Sequence, residues 1–218
     1  MEREKNVVVY YALCNVLKNV VRTGWKNWHV KRDRLESVAE HIFGTQMLAL
    51  AMWSEYEYKI DIKKVLFMLA IHELEEIVIG DLTLFQIDKQ KKQQLGHLAI
   101  KKILKNLKSA DEIESLILEF DAKTTPEAKF AYWCDKLECD LQCKLYDEEN
   151  CVDLTKQDLS EYTPDVAELL KTKSWSGMWL SFGRNRYGYD KNFEAVSLYA
   201  EKNNLKKLAK KPTDIEEH

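Results

Sequence analysis

The chain has 218 residues, 45% of them hydrophobic, with 33 basic and 36 acidic side chains and a formal net charge of -3. That is enough apolar mass for one substantial core, or two small ones. The near balance of charge argues against a dedicated polyanion partner such as nucleic acid, while leaving room for a local basic pocket.

The N-terminal run "MEREKNVVVYYALCNV" starts charged. Its apolar stretch is too short to span a bilayer and lacks a small-residue cleavage site, so a cytoplasmic protein with no membrane partner is expected. Only 7 Gly and 3 Pro occur, and apolar residues recur at three and four, the helical period. Helices are expected near 6–21, 36–56, 62–78, 86–107, 111–121, 126–147, 164–173 and 190–209. Asp61 and Thr125-Pro126 fit helix starts, and Gly80 a helix stop. There are five cysteines, and Cys134, Cys139, Cys143 and Cys151 cluster without CxxC spacing. Reduced thiols follow, with Cys139 and Cys143 as packing residues rather than a soft metal pair. The expected fold class is all-α.

In helix 36–56, Val38, Ile42, Thr45, Leu48, Ala49 and Met52 form an inward stripe that includes His41. A lone histidine there is more often a core residue with one hydrogen bond. In helix 62–78, Val65, Leu69, His72 and Glu76 form one stripe that begins apolar and ends titratable. Burying a carboxylate without a cation, donors or water is costly. Glu73 lies about 100° around the helix from His72, so the two could flank one ion. A solvated "ELEE" turn is the plain alternative; it suits Glu75 better than Glu76. Around "FAYWCDKLECDLQ", Phe130, Trp133, Cys134, Leu137 and Leu141 make the apolar stripe. Asp135 falls on the other face with Glu138 and Gln142, which periodicity alone assigns to solvent and which could also be the wall of a polar site. Two histidines and two carboxylates from three helices suit one divalent ion of the Mn, Co, Fe, Ni or Zn type.

Three segments carry a resemblance. "ESVAEH" (36–41), "IHELEEIVIGDLT" (71–83) and "DKLECDLQ" (135–142) resemble, in order and spacing, the motifs of the HD-domain metal-dependent phosphohydrolases. The nearer resemblance is to the HD-domain 5′-deoxynucleotidases, whose central motif is HDxxExxxGDxT. It covers most of 20–147, and little matches beyond. The resemblance implies a helical bundle of the HD type with its motif-bearing core over about 20–147; helical periodicity adds a C-terminal extension 148–209 and composition a frayed tail 210–218, so that 1–218 is expected as a single HD-type domain.

Carried onto this sequence, the resemblance makes His41, His72, Glu73 and Asp135 the metal ligands and Glu76 the acid that activates water or protonates the leaving group. Asp81 matches a residue near the sugar. "VRTGW" resembles the segment with a phosphate-binding arginine, giving Arg22 that role and Trp25 a place in the pocket wall. The implied substrate is a small phosphate ester, a nucleoside 5′-monophosphate. The chain departs from the family at Glu73, where the defining residue is Asp. A longer side chain could still ligate, or could leave a degenerate HD protein that binds metal or nucleotide with little hydrolase activity. A helical interaction module without metal is a third, plainer alternative. The later stretch "SWSGMWLSFGRNRYGYD" fits a packed loop, with a lid, a phosphate contact through Arg184 or Arg186, or a homodimer surface as alternatives.

Overall fold

Helical periodicity becomes helix along most of the chain. The computed structural model describes residues 1–83, 86–158 and 162–209, and the tail expected to fray, 210–218, lies outside them. In order come α1 (Glu2–Cys14), a 3-10 turn (Asn15–Lys18), α2 (Thr23–Asn27), α3 (Val38–Tyr56), α4 (Ile62–Ile71), α5 (Glu76–Ile79), α6 (Lys89–Leu104), α7 (Ala110–Ala122), α8 (Pro126–Glu148), a second 3-10 turn (Leu154–Lys156), α9 (Pro164–Leu170), α10 (Trp175–Arg186), α11 (Lys191–Lys202) and α12 (Leu205–Leu208). No strand occurs among the described residues, only an isolated antiparallel bridge between Val21 and Ser37. The fold is all-α. Two compact units, Met1–Glu138 and Cys139–His218, divide the chain within α8.

In the first unit, the helix expected to run to 21 stops after the 3-10 turn. The backbone at 20–22 is captured by the start of α3: Arg22 N donates to Glu36 O at 3.0 Å, and Val38 N to Val20 O at 2.8 Å. α3 opens on a capping box. Ser37 Oγ accepts from Glu40 N at 3.3 Å, and the Glu40 carboxylate accepts from Ser37 N at 2.9 Å. Asp61 caps α4 as expected, accepting from Lys63 N and Lys64 N. A core of Leu17, Val38, Ile71, Leu74, Ile100, Ile103, Leu104 and Ile117 joins the first 3-10 turn, α3, α4, α6 and α7.

The continuous helix expected over 62–78 does not form. α4 ends at Ile71 and α5 begins at Glu76. Between them Leu74 N donates to Ile71 O, and Glu76 N to Glu73 O, each at 3.1 Å. These are three-residue bonds, which overwind the chain and bring residues three apart onto one side. His72 and Glu76 therefore do not share one continuous α-helical stripe, although both are buried.

In the second unit the stretch expected as a loop is the helix α10. Ser174 caps it, accepting from Gly177 N at 3.1 Å. Trp175, Met178, Leu180 and Phe193 are buried, and Gly183 lies so close to Asp140 that a β-carbon there would collide with the carboxylate. The glycine is a packing residue and not a loop signal. Arg184 pairs with Glu201 and donates to Ser197 Oγ at 2.9 Å, so it is engaged in the packing of α10 on α11 rather than offered as a phosphate contact. Arg186 lies over the Phe182 ring. The five cysteines are free thiols; Cys134, Cys143 and Cys151 are buried, in keeping with packing roles.

Candidate metal centre

α3 places His41 on its buried face, 0% exposed. α8 brings Asp135 opposite, at 4%. Of the two readings left open for this polar face, solvent exposure does not hold, and Asp135 and Glu138 are buried in a polar setting. Periodicity finds apolar faces, but the polar face of α8 is covered by another titratable side chain, His41. His41 Nε2 stands 3.2 Å from Asp135 Oδ1, and its Nδ1 is 2.5 Å from Glu138 Oε2.

The overwound turn after α4 supplies the other half. His72 Nδ1–H donates to Leu69 O at 2.8 Å, which directs Nε2 away from the backbone. That Nε2 lies 3.7 Å from Glu73 Oε1 and 3.9 Å from Asp135 Oδ1. Glu73 Oε1 is also 3.9 Å from His41 Nε2. One ligand-type atom from each of His41, His72, Glu73 and Asp135 thus lies within 4.8 Å of the others. The extra methylene of Glu73 does not take its carboxylate out of the group.

Two buried atoms here have no hydrogen-bond partner, His72 Nε2 and Glu76 Oε2. An orphaned imidazole nitrogen facing two carboxylates is costly unless a cation completes the group. Two imidazoles and two carboxylates are also a donor set suited to borderline divalent ions. The residues present fit a divalent metal.

The electrostatics run the same way. Burial works to raise Glu73, but the His72, Arg22 and His41 charges outweigh it and hold the carboxyl at about 2. Burial also opposes ionisation of Asp135, yet Lys136 and the two histidines bring it well below the usual carboxylate range. His41 is pushed down by burial and Arg22, but Glu138 and Asp135 carry it up to about 9. Burial depresses His72. Burial, and then the Glu73 and Asp81 charges, push Glu76 up to about 11. Glu75 is half-buried rather than solvated, and burial with the Glu73 charge raises it to about 8.

The remaining expected residues surround the cluster. Arg22 Nη1 is 3.4 Å from Glu73 Oε1. Asp81 is tied to the same segment: Oδ2 accepts from Thr23 N at 2.6 Å, and its carbonyl from Thr23 Oγ1 at 2.5 Å. Trp25 is buried, and its indole N–H donates to Glu36 Oε2 at 2.8 Å. Burial followed by the Glu138 charge raises Glu36 to about 7. Sequence reasoning missed Lys92, whose Nζ lies 3.7 Å from Glu76 Oε1 and donates to Leu82 O at 2.7 Å. It also missed the contact of Glu138 with His41. The one available signal for Glu138 was its place one turn beyond Asp135.

Comparison with known proteins follows the same line. The HD domain family model matches residues 14–175, which extends past the 147 at which recognisable motifs stop. The chain belongs to the HD-domain family. The 5′-deoxynucleotidase HDDC2 of Dictyostelium discoideum is 32% identical over 152 residues, 66% of this chain and 79% of its own. The 5′-deoxynucleotidase hdd1 of Schizosaccharomyces pombe is 27% identical over 165 residues, 72% of this chain and 79% of its own. Within the family the chain therefore falls on the 5′-deoxynucleotidase branch. A crystal structure described as a predicted metal-dependent phosphohydrolase from Magnetospirillum magnetotacticum superposes with a TM-score of 0.64 at 20% identity. That match covers 94% of each chain and shows the shared fold.

Proposed function

We propose that this chain is a divalent-metal-dependent phosphohydrolase that releases phosphate from deoxynucleoside 5′-monophosphates. The observation that carries the proposal is the convergence of His41, His72, Glu73 and Asp135 within 4.8 Å, with His72 Nε2 buried and unpartnered. The two curated relatives are both named 5′-deoxynucleotidases, which supports a nucleotide as the ester.

His41, His72, Glu73 and Asp135 would hold the ion, of the Mn, Co, Fe, Ni or Zn type. Such an ion supplies positive charge against the phosphoryl group and acidifies water. Arg22, at the edge of the cluster, adds a second positive charge for the phosphoryl oxygens, the main requirement of phosphoryl transfer. Glu76 retains a proton at neutral pH in the metal-free site and would give it to the leaving oxygen. Asp81, bonded by Thr23, would lie at the sugar end, and Trp25, bonded to Glu36, would back the pocket wall. Glu73 keeps its carboxylate in the ligand group, which supports a working hydrolase over a degenerate one.

Among the described residues no helix is long and apolar enough to cross a membrane. A cytoplasmic location, a small-molecule substrate with no nucleic-acid or membrane partner, a homodimer, and a single HD-type domain over 1–218 belong to the same proposal. The test is metal analysis of the purified protein, then phosphate release from a panel of nucleotides with Mn²⁺ or Co²⁺. Release from deoxynucleoside monophosphates, abolished by chelation, is expected. Bound metal with no turnover on any ester would favour the binding-only alternative.

A further inference from the structure

We propose that Glu138 is the positioning residue that fixes His41 for metal binding, and that Gly44 exists to make room for it. The inference rests on the metal-centre reading above. It concerns residues that the family motifs and the cluster itself leave unassigned.

An imidazole ligates through one nitrogen, and its other nitrogen decides which one is free. For His72 that decision is made by a backbone carbonyl, Leu69 O. For His41 it is made by a side chain from another helix. His41 Nδ1 is 2.5 Å from Glu138 Oε2. A carboxylate accepts, so Nδ1 keeps its hydrogen, and it is Nε2, facing Glu73 and Asp135, that gives up its proton and offers its lone pair when an ion binds. The pair is enclosed: His41 is fully buried and Glu138 is 8% exposed, so water does not compete for the bond. Asp135 and Glu138 lie one turn apart on α8. A single turn therefore offers one candidate ligand and the residue that orients another.

Gly44 is the independent observation. It sits within α3, three residues after His41, where glycine is a poorer helix former than alanine. A β-carbon built at Gly44 would overlap the Glu138 carboxylate, meeting Oε1 and Cδ below contact distance. The Glu138 carboxylate thus occupies the space that a side chain at 44 would fill. An alanine there leaves the helix intact but forces the carboxylate away from Nδ1.

Outer partners of ligating histidines typically contribute about 10–100-fold to metal affinity. The experiment is Zn²⁺ titration by calorimetry on the full chain and on Glu138→Ala, Glu138→Gln and Gly44→Ala, with thermal melts of each metal-free protein. Long-range ¹⁵N NMR of the Zn²⁺-loaded proteins then reads which nitrogen of His41 carries hydrogen. Glu138→Ala and Gly44→Ala should each weaken Zn²⁺ by about 10–100-fold. Glu138→Gln, whose amide oxygen still accepts from Nδ1–H, should stay within about tenfold of wild type. Metal-free Gly44→Ala should still melt cooperatively, at a lower Tm because the buried His41–Glu138 contact is displaced, while the Zn²⁺-loaded protein shows a changed His41 ¹⁵N signal, which a merely structural role for this contact would not give. If Glu138→Ala fails to fold, Gly44→Ala carries the test. Wild-type affinity in Gly44→Ala, or an unchanged His41 signal in a folded Glu138→Ala, overturns the inference while leaving the metal centre standing. No Zn²⁺ bound by wild type would sink both.

Discussion

Lys92 Nζ stands 3.7 Å from Glu76 Oε1 and anchors itself on the Leu82 carbonyl, while Glu76 Oε2 has no hydrogen-bond partner. One oxygen of the buried acid thus faces a cation and the other is left for whatever enters the site. That arrangement suits a group that holds and releases a proton, not a ligand that is permanently committed. Glu76→Gln keeps the shape and removes the titration. It should lower turnover by about 10²–10⁴-fold, the usual range for a general acid or base. Mn²⁺ affinity should change by less than about tenfold, since Glu76 lies outside the four-residue group. Steady-state phosphate release and metal titration on the same preparation check both; full activity in the variant would remove Glu76 from the mechanism.

The parts of this site that the sequence displayed, and the parts it hid, differ in their physical cause. His41 was legible because it falls on the buried stripe of a regular helix, with Val38, Thr45 and Ala49 at helical spacing. Asp135 and Glu138 were visible as a polar face, but not as a buried one, because periodicity cannot distinguish water from another element's histidine. The turn 72–75 was mistaken for helix because a 3-10 and an α register differ by less than one residue per turn over four residues. That small difference decides which acids face the cluster. Lys92 and Thr23 reach the site across long sequence separations, which no local pattern encodes.

Arg22 and the proposed ion compete for the same carboxylate, since Arg22 Nη1 is 3.4 Å from Glu73 Oε1. Removing the guanidinium should therefore act in opposite directions on two measurements. Arg22→Ala should lower kcat/KM by about 10²-fold or more, as expected for a charge aimed at transferring phosphoryl oxygens. The same variant should bind Mn²⁺ about two- to tenfold more tightly, because a neighbouring positive charge no longer opposes the ion. Parallel losses of metal affinity and activity would show that Arg22 supports the ligand shell instead of the substrate.

Arg184 provides a contrast. Its side chain pairs with Glu201 and donates to Ser197, which ties α10 to α11. Arg184→Ala leaves Glu201 with Lys173 as its remaining ion-pair partner. The variant should lose about 1–3 kcal/mol of stability, the range for a hydrogen-bonded charged group in a partly buried setting. Its kcat/KM should match wild type at temperatures where it is folded. Denaturant melts and kinetics together check this; a loss of activity without loss of stability would return Arg184 to the phosphate.

The charges packed around the cluster also fix how the protein responds to pH. His41 rises from an ordinary value near 6.5 to about 9, while Glu36 rises to about 7 and Glu76 to about 11. Each of these groups binds its proton more tightly in the folded, metal-free protein than in the unfolded chain. Stability must then fall as pH increases, first as unfolded carboxylates ionise and then through the window from about 6.5 to about 9, where His41 adds its loss to that of Glu75, raised to about 8, and Glu76, raised to about 11. Glu73, held at about 2, acts in the opposite sense, but its contribution is complete above the ordinary carboxylate range and does not enter that window. Metal binding reverses the trend. An ion at His41 displaces a proton, so its apparent affinity should rise by up to about tenfold per pH unit until about pH 9. The Tm of metal-free protein should fall between pH 6.5 and pH 9 on this account, while the increase in Tm produced by a fixed Mn²⁺ concentration grows. Melting curves with and without chelator across that range, with proton release measured in weakly buffered solution, test the two halves separately. A metal-free Tm that rose through the window would mean that His41 is not held as an imidazolium between Glu138 and Asp135.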